Sequence, residues 1–136
     1  MLLKELRGPI VHTAFLESTG NAASTGNLPA FRAQFDCQVT AAALVPSAAI
    51  TADGTNFATY TLTRHTAGAS AATVATRAWS ATNSVALTEE SMTLSGTAAN
   101  LLLTAGDTLS IVKTVAASGL LIPACLLVVT YKLTGV

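Results

Sequence analysis

The sequence predicts an all-β protein, an antiparallel β-sandwich of about eight strands. Apolar and polar side chains alternate with a two-residue period in several segments, and turn residues recur at short intervals between them. Composition carries the third signal, with 26 alanines and 21 threonines among 136 residues. Alanine on its own favours helix. Threonine interleaved with it opposes helix through a stiff β-branched side chain, and the period decides for strands.

The elements follow in chain order. Residues 1–30 read as an extended N-terminal arm, and residues 31–136 as the sandwich domain. In the arm Leu2, Leu3, Leu6, Ile10, Val11, Phe15 and Leu16 are apolar. Pro9 breaks any helix begun at Leu2, leaving Pro9 to Glu17 as a first strand. Ser18 to Asn27, STGNAASTGN, has the composition of a flexible linker. Phe31, Ala33, Phe35, Cys37 and Val39 then alternate with Arg32, Gln34, Asp36 and Gln38, predicting one strand with one apolar face. Ala41 to Val45 is the next, closed by Pro46. After the turn Ala52-Asp53-Gly54, the stretch Asn56 to Arg64 sets Ala58, Tyr60 and Leu62 on one face and Thr59, Thr61 and Thr63 on the other.

Shorter strands are predicted around Thr73 to Trp79, Ser84 to Thr88 and Met92 to Ser95. Gly106-Asp107 opens Thr108 to Val115, and Ser118-Gly119 closes it. Ile122 to Leu133 is the last strand and the most apolar, so it is covered on both sides or sits centrally with a partner chain over its outer face. Residues 50–54 and 103–107 echo each other ahead of two strands, as the two Greek-key halves of a jelly roll would. The predicted core is Phe35, Cys37, Val39, Tyr60, Leu62, Leu109, Ile111, Leu127 and Val129.

Charge is the unusual quantity. Charged residues are 10% of the chain and the net charge is zero, against about 25–35% on the exterior of a free soluble domain. A neutral chain lacks the basic footprint of a nucleic-acid binder. The longest apolar run, Leu120 to Val129, contains Pro123 and is too short for a membrane-spanning helix. Lys4, Glu5 and Arg7 interrupt the apolar stretch that a signal peptide would need. The exterior must instead be built largely of Thr, Ser, Asn and Ala, whose short side chains lose little entropy on burial. Such a surface suits close packing against other copies.

Chemistry-bearing motifs are sparse. His12 and His65 are the only imidazoles and have no metal-ligand spacing, so both read as surface or turn residues. Cys37 and Cys125 each fall in a strand and read as buried thiols, with a cross-strand disulfide as the alternative. No nucleophile elbow and no phosphate-binding loop occurs. Asp53 and Asp107 sit beside glycine at turns, where their carboxylates serve the backbone. Glu89-Glu90 is the one acidic pair and reads as a solvated loop, a glycosidase pair being the sharper alternative. Trp79 and Tyr60 read as packing rather than a ligand patch. No cofactor or metal is expected.

Three pieces of punctuation carry a resemblance. Asp53, Thr55, Asn56 and Phe57 open a Thr-rich strand; Ala105, Gly106 and Asp107 open the penultimate one; Gly119, Ile122 and Pro123 introduce the last. Across residues 35–133 this resembles the capsid decoration, or cement, proteins of tailed bacteriophages. The resemblance implies a jelly-roll-like, non-enzymatic virion protein. It would be made in the bacterial cytoplasm and seated on the capsid surface as a homotrimer, with the major capsid protein as partner and neither nucleic acid nor membrane. A tail, baseplate or fibre module, one recognising host glycans included, would use the same fold. Leu2, Leu3, Leu6, Ile10 and Val11 are the candidate contacts to another subunit or to the capsid. The plainer alternative makes Pro9 to Glu17 the first strand of its own sandwich.

Overall fold

The computed structural model describes residues 8–135 and, of residue 71, the backbone alone. Ten strands form among them: β1 (Ile10–Leu16), β2 (Leu28–Arg32), β3 (Cys37–Pro46), β4 (Ala58–Thr66), β5 (Ala69–Ala78), β6 (Glu90–Ser91), β7 (Thr93–Leu94), β8 (Leu102–Leu103), β9 (Thr108–Val115) and β10 (Cys125–Leu133). A 3₁₀ turn, Ala98–Leu101, precedes β8. One sheet runs β1-β10-β3, with β6 and β8 both paired to the far edge of β3. The other runs β2-β9-β4-β5-β7.

The pairing is nested from the ends inward. First strand pairs with last (β1 with β10), second with penultimate (β2 with β9), β3 with the interrupted β6/β8, and β4 with β5, all antiparallel. A long hairpin wound over two sheets in this way is a jelly roll. Counting β6 and β8 as one broken strand and setting aside the two-residue β7, the number of principal strands is the expected eight.

The inner faces follow the predicted period. Val39, Leu127 and Val129 from the first sheet meet Tyr60, Leu62, Leu109 and Ile111 from the second, all buried, with Cys37 beside them. Phe35 is the exception, at 50% exposed. The alternation from Phe31 to Val39 is not one strand. The chain leaves the second sheet at Arg32 and enters the first at Cys37, and Phe35 lies on the bend between. That crossing is fixed by the Asp36 carboxylate, which accepts the Ala105 N–H at 2.8 Å. Ala41 to Val45, expected separately, continues β3 from Cys37.

The N-terminal region belongs to the sandwich. β1 pairs in register with β10 from Ile10↔Tyr131 to Leu16↔Cys125, so it is the first strand of its own sheet. The expected division between residues 30 and 31 falls inside β2. Nor is Ser18 to Asn27 a free linker. Thr19 exchanges backbone hydrogen bonds with Ile122 at 2.9 and 3.1 Å, and the Lys113 ammonium donates to the Gly20 carbonyl at 2.7 Å. Thr25 Oγ1 accepts the Lys113 N–H, and Ser110 Oγ donates to Asn27 Oδ1. Gly119, at φ 70°, lets the backbone of Asn21 lie so close that any Cβ there would collide with its carbonyl. Leu2, Leu3 and Leu6 lie outside the described residues.

Two further differences are local. Of Ser84 to Thr88 only Ser84 joins the ladder, through a bridge to Ile50. The stretch Glu90 to Leu94 splits between the sheets, β6 on β3 and β7 on β5, with buried Met92 at the crossing.

Candidate interaction surface

The expected contact residues separate once placed. Ile10 is half-buried and lines a cavity; Val11 is 58% exposed on the opposite face of β1. That alternation is the two-residue pleat of a strand, and it places two features on the two sides of β1.

The outward side belongs to an uncharged, mostly apolar face, in which Ala43 is already buried. The register puts Phe15, Leu126 and Val45 in one row across β1, β10 and β3, then Thr13, Val128 and Ala43, then Val11, Thr130 and Ala41. Phe15 is 70% exposed and Leu126 38%. None of these nine positions is charged. Among the described residues the nearest charges are at the ends. Glu17 follows Phe15 by two residues and Glu89 precedes Ser91, both exposed, while Lys132 lies two residues beyond Thr130. Leu87, whose N–H reaches the Pro46 carbonyl at 2.8 Å, adds another exposed apolar side chain at the Phe15 end. Sequence reasoning found Val11 but passed over Phe15, which the same period puts beside it.

The inward side of β1 faces β2 across the open edge of the sandwich. A cavity of about 410 Å³ lies here, bordered by Ile10, His12, Phe31, Phe35, Cys37 and Tyr131 among others. His12 Nε2 lies 2.9 Å from the Ala30 carbonyl, its ring set edge-on to Phe31 at 5.1 Å, and Tyr131 also packs against Phe31 at 5.0 Å. An aromatic filling of this kind bridges two sheet edges that no strand joins.

The remaining polar groups serve the scaffold. Glu90 accepts from Arg77 at 3.1 Å and from the Ser84 hydroxyl, which in turn accepts Trp79 Nε1 at 2.7 Å. Arg77 also lies 5.3 Å from the Trp79 ring centroid, and Trp79 meets Tyr60 edge-to-face at 5.3 Å. This cluster ties β5 of one sheet to β6 of the other. Glu90 is therefore half-buried and ion-paired, not a solvated loop residue, whereas Glu89 is exposed. His65 also departs from expectation: it is buried, with Nε2 2.7 Å from Ser110 Oγ.

Turn carboxylates behave as expected. Asp53 accepts the N–H groups of Asn56 and Thr55 at 2.8 Å each, which holds its carboxyl below the usual range. Asp107 accepts from Thr104 N–H and Thr66 Oγ1, both at 3.0 Å. The cysteines are free, buried thiols, and burial pushes each from 9.0 up to about 11. Cys37 pairs with Leu133 and Cys125 with Pro46, at opposite ends of the β3–β10 ladder. At ~3.4 Å per residue that is far beyond the ~7 Å limit between Cα atoms for a disulfide. Among the described residues no group of three or more His, Cys, Asp or Glu is arranged to hold a metal ion, and no helix is long and apolar enough to cross a membrane.

Comparison with protein-family models, curated proteins and solved structures finds no match to this chain. The fold and the surface define a class and nothing narrower: a jelly-roll sandwich carrying an uncharged apolar face on one sheet.

Proposed function

We propose that this protein is a non-enzymatic structural component of a tailed-bacteriophage virion, a decoration protein that binds and reinforces the capsid exterior as a homo-oligomer. The supporting observation is the uncharged face over β1, β10 and β3, with Phe15 70% exposed. A monomer rarely leaves such a face bare, and a shell component has neighbours on every side. Three-fold order is what the sequence resemblance implies, and the major capsid protein is the partner it implies. In a purified particle the protein should be present in many tens of copies in heads and absent from isolated tails, as quantitative gels would measure. Presence in tails alone would instead assign it to a tail, baseplate or fibre module.

The first residues supply a second contact. Leu2, Leu3 and Leu6 precede β1, which lies at the edge of the first sheet. Deleting residues 1–8 should leave the melting temperature close to that of the full chain and abolish binding to capsids stripped of the protein. Undiminished capsid binding would remove the arm from the docking surface.

A further inference from the structure

We propose that the outer face of the first sheet is a self-recognition surface, on which a second copy of this chain packs antiparallel about a two-fold axis. This rests on the oligomeric part of the function proposed above and departs from the three-fold order that the resemblance implies.

The face is polar in the directional sense: its two ends differ in size and in charge. At one end the row Phe15–Leu126–Val45 is bulky; at the other Val11–Thr130–Ala41 is small. Two faces stacked in the same sense would set bulk on bulk and leave a gap at the other end. Reversing one of them lays each bulky row on the partner's small row, and Thr13 and Val128 of the middle row, whose Ala43 is already buried, then meet their own counterparts across the axis. Charge points the same way. The acids Glu17 and Glu89 flank the bulky end and Lys132 stands at the small end. Same-sense stacking puts acid over acid, whereas reversal brings Glu17 of each copy over the strand ends that carry the partner's Lys132. Like-charge contact discriminates strongly against the wrong arrangement. A two-fold interface must be self-complementary in this manner.

The extent of the face sets the expected strength. Three strands ~4.8 Å apart and three rows ~6.8 Å apart give about 300 Å² per copy. The pair then buries about 600 Å², below the ~1,000 Å² of a stable interface. A weak, concentration-dependent dimer follows in solution. On a shell, where copies are held side by side, the same contact is reinforced through avidity.

Sedimentation equilibrium of the full chain between about 1 and 300 µM tests this. The expected result is a monomer–dimer equilibrium. Val128→Lys, which sets two like charges against each other at the axis, should abolish it, and Thr61→Lys on the other sheet should leave it unchanged. Should Val128→Lys fail to fold, Phe15→Glu at a well-exposed position reads the same contact. Glu17→Lys should weaken association about fivefold, and adding Lys132→Glu should restore it. A monomer at every concentration, a trimer, or a Phe15→Glu variant that still dimerises would each overturn the proposal. None of those results touches the head-against-tail measurement, which judges the virion function separately.

Discussion

The two sheets of this sandwich share one rule on the inside and follow opposite rules on the outside. Inward, both present large apolar side chains: Leu127 and Val129 from β10, Leu62 and Ile111 from β4 and β9. Outward, the second sheet is a field of hydroxyls. Thr114, Thr59 and Ala78 form one row, Val112, Thr61, Thr76 and Thr93 the next, and Thr63 and Thr73 a third, in which Ser110 is buried against His65 and Asn27. The first sheet offers Phe15, Leu126 and Val45 in the corresponding place. Threonine keeps the strand conformation while leaving a hydroxyl for water. The scarcity of charge, 10% of the chain, thus has different consequences on the two sides. One face is hydrated without charge, and the other is left apolar.

The largest effects should come where the sheets agree. Leu62→Ala and Ile111→Ala on the second sheet, and Leu127→Ala on the first, each open a cavity among fully buried neighbours. Each should cost about 2–5 kcal/mol, read as a lowered denaturation midpoint. An unchanged midpoint for any of them would mean that its face has been assigned wrongly.

Next comes the packed polar stretch that flanks β9, for which the first sheet has no counterpart among the described residues. Gly119→Ala would force a Cβ onto the Asn21 carbonyl at a φ of 70°. A loss of about 1–3 kcal/mol is expected, together with faster amide exchange at Thr19 and Thr25. Slow exchange at both in the variant would show that the Asn21 contact is dispensable.

This stretch also marks where sequence reading stops. The faces of β4 and β9 were legible because Ala58, Tyr60 and Leu62, or Leu109 and Ile111, repeat with the pleat. The turns at Asp53 and Asp107 were legible because short-range backbone geometry demands those residues. STGNAASTGN reads as a linker because nothing in its composition announces partners; its partners, Ile122, Lys113, Ser110 and Gly119, lie more than eighty residues away. Phe35 misled for the converse reason. It keeps the two-residue period of Phe31 and Val39 while the chain changes sheets beneath it, and periodicity does not register a crossing. The uncharged outer face was half legible. The apolar run in β10 pointed to a covering partner, but only the β1–β10–β3 register placed Phe15 beside Leu126.

Alkaline stability draws on buried groups in both sheets. Cys37 and Cys125, both in the first sheet, are pushed from 9.0 to about 11 by burial. Their folded state therefore holds protons that the unfolded chain releases, and stability falls as pH rises from about 9 towards 11. In the second sheet Tyr60, pushed from 10.0 to about 12, acts in the same direction at higher pH. Lys113 opposes it: desolvation lowers its pKa below 10.5, so its burial penalises folding less as pH rises. The double variant Cys37→Ala, Cys125→Ala should lose the first part of the alkaline decline, and Lys113→Met should steepen what remains. Melting temperatures from pH 8 to 11 in the three proteins would decide it. A decline unaltered by removing both thiols would place its cause elsewhere.

The smallest effect on stability should come from exchanging the outer faces, and it bears most directly on why they differ. Leu126→Thr gives the first sheet a hydroxyl in its bulky row, and Thr61→Val removes one from the middle of the second sheet. Both positions lie on the outer side of a strand, and β-branched residues fit each of them. Stability should move by no more than about 0.5 kcal/mol either way. Association should move much further. The Leu126→Thr protein is expected to sediment as a monomer where the parent dimerises, since a row of three apolar side chains loses its centre. Thr61→Val alone should not create a new contact, because Thr59, Thr63 and Thr76 keep the surrounding face hydrated. If both variants associate as the parent does, the hydroxyl field and the apolar face are equivalent to water and to neighbours alike, and the contrast between the sheets carries no function.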